Sequence, residues 1–199
     1  MAEEQHINKT PKILVFAGSI RSGSLNARLA DAFTGELVKL DCQLTRLTLA
    51  DYPLPVYDAD FENEKGVPEN AVKLARLFTA HQGVVIVGPE YNGSLTPLLK
   101  NTIDWISRVR SNSSKDIVPY RGKIAAVAAA SNGSMGGISS LGHLRQILVR
   151  LGMLVISEQL AVAGAASAFD ENDHLTSPQY ADMLKAQCKS LVEKATLLG

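Results

Sequence analysis

Between Gly18 and Asn26 the chain reads Gly-Ser-Ile-Arg-Ser-Gly-Ser-Leu-Asn, a stretch dense in small hydrogen-bond donors. Ser19, Ser22 and Ser24 bring hydroxyls, and Arg21 brings a planar fork suited to phosphate oxygens. The stretch follows the apolar run Lys12–Ala17 and precedes Leu25, Leu29, Phe33, Leu37 and Leu40, which are spaced along one helix face. A loop that leaves a strand and opens a helix presents unpaired backbone N–H groups and the positive end of the helix dipole. The predicted chemistry is therefore the binding of a phosphate group. Serine and asparagine are also ordinary helix caps, and glycine is ordinary in tight turns. Taken alone, the loop weighs about evenly between a structural turn and a site.

Two further polar loops carry glycine, Pro89-Glu90-Tyr91-Asn92-Gly93-Ser94 and Ser131-Asn132-Gly133-Ser134-Met135-Gly136-Gly137. Each follows an apolar run: Gly83–Gly88 is apolar on both faces, and Lys123–Ala130 is rich in small residues. Such runs suit the middle of a parallel sheet. Leu47-Thr48-Leu49 alternates, which places the strand from Gln43 to Leu49 near an edge, and a fifth strand is expected over Met153–Val162. Helices are predicted from about 24 to 40, 68 to 80 and 96 to 109, then around Leu141–Leu151 and from Ser177 to Leu198. Ala50–Gly66 and Arg110–Arg121 read as loops, the latter as mobile. Five strands alternating with five helices predict an α/β fold, a five-stranded parallel sheet covered by helices on both sides, with strand order 2-1-3-4-5. That order sets strands one, three and four side by side. Their loops would then converge on one crevice beyond the carboxyl ends of the strands. Residues 1–11 are expected as a flexible tail and 12–199 as one domain.

Lys and Arg total 20, as do Asp and Glu, so no basic excess argues for nucleic acid or an anionic membrane surface. Cys42 and Cys188 have no metal-ligand spacing and suggest no disulfide framework. The start is polar and unlike a secretory signal, and no apolar run is long enough to span a bilayer. A cytoplasmic location is the expectation.

Spelling narrows the ligand. Ser24 stands where a P-loop needs lysine, and the Gly-x-Gly-x-x-Gly fingerprint is missing. Neither cysteine lies in the loop, as a cysteine phosphatase would require. The remaining reading is a flavin mononucleotide (FMN) site, its phosphate at the first loop and its flat ring between the other two. Tyr91 offers an aromatic surface there, and Gly93 and Gly133 allow backbone N–H groups to come close.

Gly18–Asn26, Pro89–Asn92, Lys100-Asn101-Thr102-Ile103-Asp104-Trp105 and Ser131–Gly137 together resemble the motifs of the NADPH-dependent FMN reductase family, in order, over roughly residues 12–165. Pro53-Leu54-Pro55-Val56-Tyr57-Asp58-Ala59-Asp60 resembles its chromate and quinone reductase branch. Thr96-Pro97 departs from the Pro-Gly usual at the start of the fourth helix. The resemblance implies an α/β flavodoxin-like three-layer sandwich, bound FMN, NADPH or NADH as donor, and a homodimer or homotetramer. By motif position Ser19, Arg21, Ser24 and Asn26, within the loop that also holds Gly18 and Leu25, would hold the phosphate. Pro89, Glu90, Tyr91, Asn92 and Gly93 would line the ring, with Ser131, Asn132 and Gly133 opposite. Electrons would pass to a small-molecule acceptor (a quinone, chromate, an azo compound or free flavin) in a ping-pong reaction. No catalytic acid or base and no metal is assigned, because the cofactor carries the chemistry. A flavodoxin-like electron carrier or binding module is the alternative, and the balanced charge weighs against it.

Among the other residues, Glu90 is read as a solvated carboxylate and Trp105 as packing. His81 is read as a cation closing a helix, and His143, Arg145 and Arg108 as surface, interface or helix-end groups.

Overall fold

In the computed structural model, which describes residues 10–109 and 117–199, five apolar runs pair as parallel strands. They are β1 (Lys12–Ala17), β2 (Gln43–Arg46), β3 (Gly83–Val87), β4 (Ile124–Ala130) and β5 (Leu154–Val162), in the order β2-β1-β3-β4-β5. Every residue of β3 and β4 is buried. A strand covered on both faces gains nothing from alternation, which explains the unbroken apolar sequence. The helices are α1 (Leu25–Leu37), α2 (Ala59–Lys65), α3 (Glu69–Ala80), α4 (Pro97–Arg108), α5 (Ile138–Arg150) and α6 (Pro178–Leu198). Side chains of β1 point alternately to two cores. Ile13, Val15 and Ala17 meet α1 and α6 through Leu29, Phe33, Leu184 and Leu191. Leu14 and Phe16 meet α3, α4 and α5 through Leu74, Phe78, Leu99 and Leu144.

The predicted sheet order is the one observed. Two elements differ from expectation. Residues 50–66, read as a loop, contain a short 3-10 turn at Leu49–Asp51 and helix α2. That helix buries no residue, so it had no apolar period to read. Its ends were written in the sequence: Asp58 caps it through bonds from Asp60 and Phe61, and Lys65 lies in its last turn. The second ring loop folds as a two-stranded hairpin, Glu90–Tyr91 against Ser94–Leu95. Asn92 and Gly93 form its tip at φ 51° and 77°. Asn-Gly is the commonest pair for such a left-handed tip. Residues 1–9 of the expected tail, and residues 110–116 of the expected mobile loop, lie outside the described residues.

The strap from Pro53 to Asp58 explains two of the sequence motifs together. Asn101 of α4 accepts the Tyr57 N–H at 2.8 Å and donates to the Pro55 carbonyl at 2.8 Å. Trp105, fully buried, donates to the same carbonyl at 2.8 Å and packs edge-on against Tyr57 and Phe61. Arg108 pairs with Glu62 at 2.9 Å over the Tyr57 ring, and Tyr57 donates to Glu62 at 3.0 Å. Trp105 is therefore packing, as expected, and Arg108 is bound to a carboxylate. Among the described residues no helix is long and apolar enough to cross a membrane.

His81 is a correction. It closes α3, but it is buried, a setting that disfavours its charged form, rather than solvated. Its Nδ1 donates to the Leu77 carbonyl at 2.6 Å, and its Nε2 takes the Thr45 hydroxyl at 2.8 Å. Burial, with Lys12 and Lys123 nearby, pushes its pKa below the usual 6.5. The unfolded chain then takes up a proton near pH 6.5 that the folded chain resists. Stability from this group is complete above that pH and declines as pH falls through it. Urea midpoints are expected to drop between about pH 7.5 and 5, and to drop less in His81→Gln. Parallel pH curves for the two proteins would contradict this.

Candidate functional site

Three strand ends step up together at the carboxyl edge of the sheet. The Gly18 N–H donates to the Val87 carbonyl at 2.8 Å, Gly88 to Ala128 at 2.8 Å and Ser131 to Val162 at 3.0 Å. The loops after β1, β3 and β4 therefore start at one level and converge, as the strand order requires. Between them lies a cleft of about 240 Å³. Its walls are Ser19, Arg21, Ser24, Leu25 and Asn26 from the first loop, Pro89, Glu90 and Tyr91 from the second, and Ala130 and Ser131 from the third.

The first loop is arranged as a donor cradle. Ser24 is the N-cap of α1: its hydroxyl oxygen accepts the Ala27 N–H at 3.3 Å, and its carbonyl accepts Arg28 at 3.1 Å. The amides of Leu25 and Asn26 are left without an acceptor among the described residues, at the positive end of the helix. Gly23, at φ 67°, makes the turn into the helix. The Arg21 guanidinium is exposed and has no partner among the described residues. The Ser19 hydroxyl oxygen accepts the Arg21 N–H at 3.3 Å.

Three tertiary links, four bonds in all, fasten the loops to one another and to the helices beside them. Asn26 donates from Nδ2 to the Ala130 carbonyl at 2.8 Å and accepts the Ala130 N–H on Oδ1 at 2.9 Å. Thr96, the N-cap of α4, donates to the Gly18 carbonyl at 2.8 Å while accepting Leu99 N–H at 3.3 Å. Thr96-Pro97 thus starts the helix in a regular way, with proline in the first turn. Glu90 Oε2 accepts the Ser140 N–H of α5 at 3.0 Å.

The sequence expectations divide accordingly. Ser19, Arg21, Ser24, Leu25, Pro89, Glu90, Tyr91 and Ser131 meet at the cleft. Asn26 also borders it, but its side-chain amide bonds Ala130 instead of facing outward. Gly18, Asn92, Gly93, Asn132 and Gly133 do not line it. Gly18 is there for packing: a Cβ would stand 2.9 Å from that of Leu99. The Gly133 N–H, expected near ring heteroatoms, donates to Ser131 Oγ at 3.2 Å, and Asn132 Oδ1 accepts Ala166 at 2.8 Å. Glu90, read as solvated, is half-buried and caps a helix. Ala130, Thr96 and Ser140 were missed. Their partners lie far away in the chain, and no local pattern signals such contacts. Arg145 ties α5 to β5 through Gln159 at 2.7 Å and the Ile156 carbonyl at 2.6 Å.

A second hollow of about 310 Å³ lies at the other end of the sheet, walled by Thr10, Pro11, Asp41 and residues of α6. Among the described residues its lining carries carboxylates and no cation, so these residues do not suit an anion. Among the described residues no group of three or more His, Cys, Asp or Glu is placed to hold a metal.

Comparison with known proteins identifies the family. The model of the family described as NADPH-dependent FMN reductase matches residues 11–167. A quinone reductase of Escherichia coli (strain K12) is 36% identical over 154 residues, 77% of each chain. An NAD(P)H-dependent FMN reductase of Pseudomonas aeruginosa is 31% identical over 182 residues, 90% of this chain and 92% of that one. Among solved structures, the flavoenzyme NAD(P)H:(acceptor) oxidoreductase FerB from Paracoccus denitrificans matches with a TM-score of 0.79 at 25% identity, covering 96% of this chain and 100% of that one.

The Asn26 pair predicts a stability effect. Asn26→Ala would strand both backbone groups of buried Ala130, so a loss of about 2–4 kcal/mol is expected. Urea unfolding of the ligand-free protein measures it. A loss under about 0.5 kcal/mol would show the link to be idle.

Proposed function

The chain belongs to the NADPH-dependent FMN reductase family, and from that premise we propose that it passes electrons from NAD(P)H to quinones at the three-loop cleft. It is an oxidoreductase that uses FMN, with NAD(P)H as donor. Membership of an enzyme family sets aside the electron-carrier alternative. The observation that carries the assignment of the cleft is the pair of amides, Leu25 and Asn26, that have no acceptor among the described residues and share the cleft with Arg21 at the N-terminus of α1. The residues present fit the cofactor. The first loop supplies the donors, and Glu90, the one carboxylate among the described residues that line the cleft, already accepts a bond from Ser140.

When bound, FMN supplies the hydride and electron transfer. The protein's part is binding and orientation. The Leu25 and Asn26 amides, the Ser19 and Ser24 hydroxyls and Arg21 would hold the phosphate by charge-assisted bonds. Pro89, Glu90, Tyr91 and the Asn92–Gly93 tip would form one wall of the ring site, and Ser131 with its loop the other. Gly93 owes its place to the turn: its φ is 77°, and nothing lies within 4 Å of a Cβ built there. Ile20, Tyr91 and Met135, one from each loop, are large and exposed, which suits flat apolar acceptors. Quinones come first on this reading, with chromate, azo compounds and free flavin as further acceptors. A cytoplasmic homodimer or homotetramer built from one domain per chain completes the proposal.

Three outcomes are expected. The purified protein is yellow and releases FMN, not FAD, on heating; a colourless protein that takes up no FMN at micromolar concentration would sink the reading. Arg21→Ala weakens FMN binding by roughly one to two decades, since a bond to a charged group contributes about 1.5–3 kcal/mol. Unchanged affinity would leave the arginine a surface charge.

The third outcome is kinetic. A cleft with its floor filled leaves one open face for donor and acceptor. NAD(P)+ must therefore leave before the acceptor enters. Initial rates with NADPH and a soluble quinone should give parallel double-reciprocal lines. Intersecting lines would require both to bind at once.

A further inference from the structure

Glu90 is the one carboxylate among the residues that line the cleft, and binding a phosphate does not explain it. Left bare, it would repel an anionic ligand and oppose any negative charge gained beside it. Helix α5 explains its position. The N-cap of α5 is Gly137, at φ 89°, which has no side chain to cap with. A larger residue is excluded there, because a Cβ would come within 2.8 Å of the Ala129 Cβ. The cap must therefore come from another segment, and the Glu90 carboxylate provides it by accepting the Ser140 N–H at 3.0 Å. Ser140 is buried, and its own hydroxyl donates to the Gly137 carbonyl at 2.8 Å.

The other strand of the hairpin is fastened to the same helix. Ser94 Oγ and His143 Nδ1 lie 2.9 Å apart, and residues 140 and 143 share a helix face. Each hairpin strand thus has one tie to α5. The exposed tip at Asn92, with its neighbours Tyr91 and Gly93, is carried between those ties.

We propose that Glu90 is the positioning residue of the ring-side wall. Its carboxylate clamps the hairpin to α5, and its charge neutralises the positive end of that helix beside the cleft. The proposal rests on the FMN reading and adds a division of labour to it. The N-terminus of α1 stays free for an anion, whereas that of α5 is closed by the chain's own carboxylate. An open α5 end would favour negative charge gained next to it. With Glu90 in place, that pull is cancelled.

Glu90→Gln and Glu90→Ala separate geometry from charge. Glutamine keeps an oxygen for the Ser140 N–H and removes the charge, whereas alanine removes both. FMN is titrated into each ligand-free protein by fluorescence, amide exchange is followed across residues 90–95, and the reduction potential of bound FMN is measured. With Glu90→Gln, affinity for FMN stays within about threefold and exchange is unchanged. The potential rises by ~30 mV, which is a tenfold gain for a two-electron couple. With Glu90→Ala, FMN binding weakens about 5–30-fold and the hairpin amides exchange faster by a similar factor. Unchanged affinity and exchange in Glu90→Ala would overturn the clamp, and an unchanged potential in Glu90→Gln would overturn the charge role. Glu90→Gln keeps the side-chain shape and tests the proposal even where the alanine variant does not fold. Wild-type protein that binds no FMN would refute the functional reading itself. Wild-type binding with indifferent variants would refute only the role of Glu90.

Discussion

The two hydrogen bonds between Asn26 and the backbone of Ala130 join the start of α1 to the end of β4 across the intervening β3. They are made in a buried setting, where an unmade bond is costly, so the two loops cannot separate cheaply. Everything at the cleft depends on that spacing. The Thr96–Gly18 bond adds α4 to the first loop, and the Glu90–Ser140 bond adds the hairpin to α5. The three links run from loop one to loop three, from loop one to α4, and from loop two to α5. A site built on loops thereby gains the rigidity of the elements under it.

The chemistry-bearing groups are kept outward by the same economy. Small residues let the underlying helices come close: Gly18 and Gly88 lie against Leu99, and Gly137 lies against Ala129. Close packing of helix starts on strand ends brings helix N-termini up to the level of the loops. One such end, at α1, is left with free amides, and the nearby cation Arg21 has the same polarity. The crevice is thus electropositive at the first loop through backbone as much as side chain. The volume of a hollow is a poorer guide than its donors. The larger space at the opposite end of the sheet has Asp41 and Glu193 in its walls and no cation among the described residues that line it.

The sheet was legible because burial on both faces writes itself into sequence: the runs at 83–88 and 123–130 have no polar interruption. From the strand order, the convergence of the three loops followed. The hairpin was also written, in Asn92-Gly93, but the glycine was read for close approach rather than for its turn. Helix α2 left no apolar pattern, since none of its residues is buried. Two side chains, Glu90 and His81, were misread, and that of Asn26 has a partner not foreseen, for a shared reason. Asn26 sits 104 residues from Ala130, Glu90 lies 50 from Ser140, and His81 lies 36 from Thr45. Residue type shows what a group can bond, but only the assembled fold decides with what. Loop asparagine, loop glutamate and helix-end histidine each have a common solvated role, and here each meets a distant partner.

These misreadings sharpen how the residues divide between scaffold and ligand. A side chain with its polar atoms engaged inside the protein cannot also be a main contact for a ligand at no cost. Asn26, Thr96, Glu90 and Ser140 are engaged in this way, and so is the Gly133 amide. Arg21 and the first amides of α1 are not. The groups that burial shifts most, Tyr120 and Cys188, stand in the two cores rather than in the cleft walls. Such shifts there are consequences of packing, since both side chains are raised by desolvation in an apolar surround. What the cleft contributes is therefore a shape held by internal bonds, with donors from the first loop and an exposed Tyr91 in its wall. That combination suits a protein that holds a cofactor in place and lets the cofactor carry the chemistry.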